Sequence, residues 1–231
     1  MDNSNKIILD LCGGTGAWSR PYLEAGYIVH VLTLPQYDVT NVYMGPSNLP
    51  GFDGAQIIAF RGTDPEIGDI AFRSDQIYGV LAAPPCTEFS LAKNGSGKPR
   101  DLAAGMEVVE ACERIIRHCQ LHGNLKFWAL ENPVGLLRKF MGRPQFTFQQ
   151  WQYSAIAVKP TDIWGWFNHP TPTVKTRPEG IVKRYGSGKV NTFAWAPPKP
   201  PSWLDTTGLT RADLRSITPE GFAKAFFKAN K

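Results

Sequence analysis

The chain has 231 residues, 42% of them hydrophobic, enough to bury one large core or a core with a smaller lobe. No apolar run reaches the ~18 residues that a membrane span needs, and the start Met1-Asp2-Asn3-Ser4-Asn5-Lys6 lacks the basic-then-apolar pattern of a secretory leader. The net charge of +5 is divided unevenly: residues 1–125 hold 9 basic and 14 acidic side chains, a balance of −5, and residues 126–231 hold 16 and 6, a balance of +10.

That split points the second half of the chain at a polyanion. The four cysteines, Cys12, Cys86, Cys112 and Cys119, form no CxxC pair and have no histidine cluster at zinc spacing. A reduced, cytoplasmic chain without metal or membrane attachment, and monomeric, is the expectation.

Lys6 to Leu11 reads as a short buried strand. The glycine-rich turn Cys12-Gly13-Gly14-Thr15-Gly16-Ala17-Trp18-Ser19 follows. A helix is predicted from near Ser19, with Pro21 early, where a missing N–H costs nothing, and with Gly26 as its stop. Tyr27 to Leu34 is a second strand. This is a βαβ opening with a glycine loop at the end of its first strand. The GxGxxG pattern of nicotinamide-binding proteins is incomplete, because Ser19 stands where its third glycine belongs. No acid closes the second strand; Thr33 and Leu34 stand there.

Residues 41–77 read as an inserted hairpin, with strands near Gln56 to Arg61 and Asp69 to Arg73. Next comes Gly79-Val80-Leu81-Ala82-Ala83-Pro84-Pro85-Cys86-Thr87-Glu88-Phe89-Ser90. Its apolar run has the composition of a parallel strand buried on both faces. Two prolines stop the strand and stiffen the turn that carries Cys86. Sheets of this kind bind ligands beyond the carboxyl ends of their strands, so Cys86 is expected at the mouth of a crevice. Lys93 to Pro99 is a polar link, either a plain loop or a lid over the cysteine.

Leu102 to Leu121 is the clearest helix. Val108, Val109, Cys112, Ile115, Ile116 and Cys119 share one face, which makes Cys112 and Cys119 core residues. Leu125 to Leu130 is another buried strand, ending in Glu131-Asn132-Pro133. By the strand-end rule Glu131 shares the crevice with Cys86. Prolines, glycines and aromatics then dominate, and five of the seven tryptophans (151, 164, 166, 195 and 203) fall here among lysines and arginines. Packing is the expected role of these tryptophans; Trp164, Trp166 and Lys175 are the candidates for nucleic-acid contact. Thr210-Arg211-Ala212-Asp213 has the look of a helix cap, and an amphipathic helix closes the chain. The resulting division is a core over 1–142, a small basic, aromatic-rich lobe over 143–208, and a closing helix over 209–231.

Together these residues resemble the cytosine-5 DNA methyltransferase family, most of all its short, phage-like members. Asp10-Leu11-Cys12-Gly13-Gly14-Thr15-Gly16 is similar to the family's first motif, which binds S-adenosylmethionine, with Trp18 near the adenine. Pro84-Pro85-Cys86-Thr87-Glu88-Phe89-Ser90 is similar to the catalytic motif. Glu131-Asn132-Pro133 resembles the family's Glu-Asn-Val, and Pro219-Glu220-Gly221-Phe222-Ala223 its last motif, which folds back on the cofactor pocket.

The resemblance implies an α/β, Rossmann-like S-adenosylmethionine-dependent methyltransferase fold with a small loop-rich lobe. It implies that Cys86 attacks C6 of a cytosine in DNA, that Glu131 engages N3, and that a methyl group passes to C5. Pro85, Ser90 and Asn132 would position the base or the loop. The base must leave its stack for such chemistry.

The departures bear on the cofactor and the base. Thr33 stands where the ribose-holding acid is missing. Asp38 is the candidate for the adenine-contacting acid, with Asp69 of Gly68-Asp69-Ile70 its rival. The Gln-x-Arg-x-Arg motif has no literal match. Lys159, in Lys159-Pro160-Thr161-Asp162, stands where its arginine would be, with Thr161 beside it, although the two cations differ in geometry. Phe167 to Trp203 is at most a miniature recognition segment. The alternatives are a non-catalytic DNA-binding relative and an enzyme acting on tRNA or a free nucleotide. For a viral protein the compartment would be the host cytoplasm.

Overall fold

The computed structural model describes residues 2–95, 97–155, 159–178 and 200–231. Its main sheet has six strands in the order β2-β1-β6-β7-β9-β8. They are β1 Ile7–Leu11, β2 Ile28–Leu32, β6 Ile77–Ala82, β7 Phe127–Pro133, β8 Phe146–Gln149 and β9 Pro160–Trp166. The four strands from β2 to β7 are parallel; β9 runs antiparallel to both β7 and β8. The chain is therefore α/β with a mixed sheet, compatible with a Rossmann-like fold.

The predicted βαβ opening is present, but its helix α1 is short, Arg20–Glu24, with Pro21 in its first turn. Helix α2, Leu102–His122, matches the predicted span, and its N-terminus is capped by Asp101, which accepts from Ala104 N at 2.9 Å. Gly123 follows, and a side chain there would lie 2.3 Å from the Ser74 carbonyl oxygen. Cys112 and Cys119 are fully buried, as their helical spacing requires.

The insertion is larger than the hairpin read from the sequence. It is a three-stranded antiparallel sheet of β3 (Tyr37–Pro46), β4 (Gln56–Gly62) and β5 (Ile70–Arg73). Its inner residues Ile58, Phe60 and Phe72 join the core under α2. The expected division at residue 142 falls inside the main sheet, because β8 and β9 continue it. What lies between 179 and 199, including Trp195 and most of the miniature recognition segment, is outside the described residues.

Alternation along the strands feeds two cores. Leu9, Leu11, Val80, Ala82 and Leu130 face α2 and the insertion. Ile8, Leu81, Phe127, Ala129 and Ile163 face the other way, toward Trp18, Tyr22 and the closing helix α5, Glu220–Asn230. Before it comes α4, Arg211–Ser216, whose capping box joins Thr210 and Asp213 as the sequence foretold.

Helix α5 does fold back on the core. Phe222 stacks on Phe148 with centroids 4.1 Å apart and planes at 6°, and meets Tyr153 edge-on at 5.1 Å. Phe226 lies 5.3 Å from Trp18. Asn230 pins the helix end, donating to Asn168 O and accepting from Asn168 N. Phe222→Ala would empty the centre of this aromatic cluster. We expect it to cost about 3–5 kcal/mol, read from the urea midpoint; a loss below about 1 kcal/mol, the size of a mild core swap, would mean that α5 is not held by this contact.

Candidate active site

Strands β1, β2 and β6 end level with one another, and β7 runs three residues further. Leu11 pairs with Leu32 on one side and with Ala82 on the other, and Ala82 pairs with Leu130. The segments after β1 and β6 carry the glycine turn and the Cys86 turn, and Glu131 lies in β7 just past its last pair with β6. The first turn is shaped from below. Asp10 is fully buried, accepts a 2.6 Å hydrogen bond from Ser19 Oγ, and leaves its second oxygen without a partner. Burial pushes its carboxyl up to about 7, against the opposing Ser19 bond.

A side chain at Gly13 would strike that carboxyl at 2.4 Å, and Gly14 and Gly16 have φ of 55° and 70°. Cys12 itself is left-handed at φ 55°. Its amide donates to Leu32 O at 2.8 Å, and its free thiol helps to raise the proton affinity of the buried Cys112 thiol. Thr15 is half-buried beside them. Trp18 is enclosed under α5 with its indole Nε1 unpartnered.

At the next strand end, Thr33 O accepts from Gln36 N and Tyr37 N and so closes a tight turn. Asp38 is half-buried, and one of its oxygens accepts from Thr40 N and Thr40 Oγ1. Its rival Asp69 is exposed and accepts from Gly62 N, where it braces the β4–β5 turn.

After β6 the chain turns tightly, with Cys86 O accepting from Phe89 N at 3.1 Å and Ser90 N at 2.8 Å. Pro84 is buried and Pro85 exposed. The Pro84 carbonyl accepts from Asn132 Nδ2 at 2.9 Å, which ties the Cys86 turn to the end of β7. Leu136 N donates to Phe89 O, Ser90 bridges Gly135, and a side chain at Gly135 would lie 2.3 Å from Phe89 O. Close approach of the two loops therefore requires that glycine. The polar link is fastened at both ends: Glu88 pairs with Lys93 and accepts from Asp101 N, and Arg100 donates to the carbonyls of Glu88 and Ser90.

The structure brings Cys86, Glu131 and Lys159 into mutual electrostatic range. Burial raises the Cys86 thiol. Lys159 opposes that rise, Glu131 adds to it, and Arg215 opposes it weakly. Burial also raises the Glu131 carboxyl, with Lys159 lowering it and Asp162 raising it further.

Lys159 Nζ donates to Arg215 O at 3.3 Å, and Thr161 is buried with its hydroxyl on Lys159 O. Arg215, on α4, was not singled out in the sequence, where nothing marks a residue that only folding brings to Cys86. Nor was the neighbouring buried Asp162. It accepts from Arg138 Nε and Nη2, both at 2.6 Å, and from Thr147 Oγ1 at 2.7 Å. Two tryptophans offered for nucleic-acid contact lie elsewhere. Trp164 is buried and donates to Gly142 O, and Trp166 pairs with Trp128 at the end of β7 remote from Glu131. Lys175 is exposed.

A thiol, a carboxyl with raised proton affinity and a cation thus lie within electrostatic reach near the strand ends, a set suited to nucleophilic attack with proton donation. Among the described residues no group of three or more His, Cys, Asp or Glu could hold a metal ion, and no helix is long and apolar enough to cross a membrane. No known family description matches the sequence, and no curated protein matches it either.

Because burial holds the Cys86 proton on, alkylation of Cys86 by iodoacetamide should rise with pH through a midpoint above that of a free cysteine. Lys159→Gln removes the cation that favours the thiolate, so its midpoint should move higher still. Glu131→Gln removes an opposing carboxylate and should move it lower. Peptide mass spectrometry of the timed reactions reads this; unchanged midpoints in both variants would separate these groups from Cys86.

Proposed function

We propose that the chain is a cytosine-5 methyltransferase acting on DNA. The observation that carries this reading is the arrangement at the strand ends. Cys86 follows β6 and Glu131 lies in the neighbouring β7; Glu131 raises the proton affinity of Cys86, Lys159 acts on both, and the glycine turn is one strand away.

Cys86 Sγ adds to C6 of an extruded cytosine and forms the S–C bond. Glu131, whose carboxyl burial makes a better proton holder than a free one, gives its proton to N3 as the electron pair displaced from the C5=C6 bond by the attack reaches that nitrogen. Lys159 stabilises the thiolate that precedes attack. Asn132 holds the Cys86 turn in place through Pro84. C5 becomes nucleophilic as a result. Loss of the C5 proton and breakage of the S–C6 bond then free Cys86.

The glycine turn fits a nucleotide-like methyl donor. The N–H groups of Gly14 and Thr15 have no hydrogen-bond partner among the described residues, and a side chain at Gly14 would meet nothing within 4 Å. Residues 12–16 would hold S-adenosylmethionine, with Thr33 and Asp38 toward its ribose and adenine; it would supply the electrophilic methyl group for C5, its sulfur leaving as the neutral thioether. Asp10 and Trp18 support that turn from within the core.

A duplex containing 5-fluorocytosine tests the reading, because fluorine cannot leave C5 as a proton does. Incubation with the donor should give an adduct stable to denaturation and mapped to Cys86. Cys86→Ser should give none, and Glu131→Gln should slow trapping by about 10²–10⁴-fold, the usual worth of a positioned acid. No adduct over a broad set of duplexes would favour a DNA-binding protein without this chemistry.

A further inference from the structure

We propose that α3, Arg138–Met141, and the turn after it form a docking surface for the DNA strand flanking the target base. Lys139 and Arg143 meet its phosphates, and Phe140 lies against the apolar face of a neighbouring nucleotide. The proposal rests on the substrate reading above and says where a polymer, rather than a free nucleotide, is held.

Charge is the first argument. Residues 132–161 include four cations, Arg138, Lys139, Arg143 and Lys159, and no Asp or Glu. Two of the four are engaged, Arg138 with the buried Asp162 and Lys159 at the Cys86 site. The other two, Lys139 and Arg143, are exposed and have no ion-pair partner among the described residues. Two exposed cations that no ion pair neutralises attract a polyanion.

Position is the second argument. No residue of α3 is buried, and Phe140 is 48% exposed although it is large and apolar. Its ring meets Phe89 edge-on with centroids 6.1 Å apart. Phe89 belongs to the turn that presents Cys86, and its carbonyl accepts from Leu136 N. The exposed aromatic thus packs against the turn that presents Cys86. Cations flanking an exposed ring form a common platform for nucleic acid, since phosphates set position and rings take the bases. A free nucleotide seated in the crevice would gain nothing from two cations outside it.

The test is a salt series of binding to a cytosine-containing duplex by fluorescence anisotropy, with wild type and Lys139→Gln/Arg143→Gln. Each phosphate contact adds about 0.9 to the slope of log affinity against log salt. The double variant should therefore lose about 1.8 from that slope, with tenfold or weaker binding at low salt and an unchanged circular-dichroism spectrum. Phe140→Ala should weaken binding several-fold at the same slope.

An unaltered slope in the double variant overturns the proposal. So does an equal loss of affinity for polyglutamate, which would mark a general anion surface, or tighter binding of an RNA duplex that carries the same slope change. Fluorocytosine trapping is read separately. Intact trapping with an unaltered slope removes the surface alone, whereas an altered slope with no trapping removes the chemistry alone.

Discussion

One hydrogen bond fixes the relation on which the site depends. Asn132 Nδ2 reaches from the end of β7 to the Pro84 carbonyl at the end of β6. Parallel strands lie about 4.8 Å apart, so their ends are neighbours by construction, but the loops beyond them are free to diverge. The Asn132 bond prevents that at the point where the chain turns toward Cys86, and Gly135 lets the following loops touch. A carboxyl and a thiol that begin on adjacent strands are thereby held to one crevice. Breaking a buried amide-to-carbonyl contact costs about 1–3 kcal/mol through the group left unsatisfied; here it would also release the turn.

Electrostatics then divides the work between the two groups. Both lie in surroundings that disfavour charge, so both hold their protons more firmly than in water. In the proposed reaction this suits Glu131 to donate a proton. It leaves Cys86 less ready to ionise, a tendency that Lys159 opposes and Arg215 opposes weakly. Asp162 would upset the balance if its charge were free. Arg138 and Thr147 bind it, which leaves Asp162 a smaller influence on Glu131 than burial and Lys159 have.

Much of this was legible before folding was considered. The apolar runs ending in Pro-Pro-Cys and Glu-Asn-Pro read as parallel strands because they lack alternation, and the strand-end rule then joined Cys86 to Glu131. The face of α2 was visible in its helical spacing, and Thr210 with Asp213 announced a cap. Other parts were hidden for physical reasons. β9 contains Pro160 and Gly165 and lies among aromatics, so it reads as irregular; its place in the sheet comes from pairing with β7 and β8. β3 mixes inward and outward residues too unevenly to announce a third strand of the insertion. Arg215 left no trace because its relation to Cys86 exists only after α4 docks. Trp164 packs in the core, the role expected of these tryptophans, whereas Trp166 is 63% exposed at the end of the sheet remote from Glu131.

The central claim is that one thiol and one carboxyl act on the same pyrimidine ring. Release of tritium from DNA labelled at C5 of cytosine tests it most directly, since that hydrogen leaves only after C6 has been attacked. The account predicts donor-dependent release by the intact chain, none from Cys86→Ser, and strongly slowed release from Glu131→Gln. Undiminished release from Cys86→Ser, or none from the intact chain across varied DNA with donor present, would contradict it.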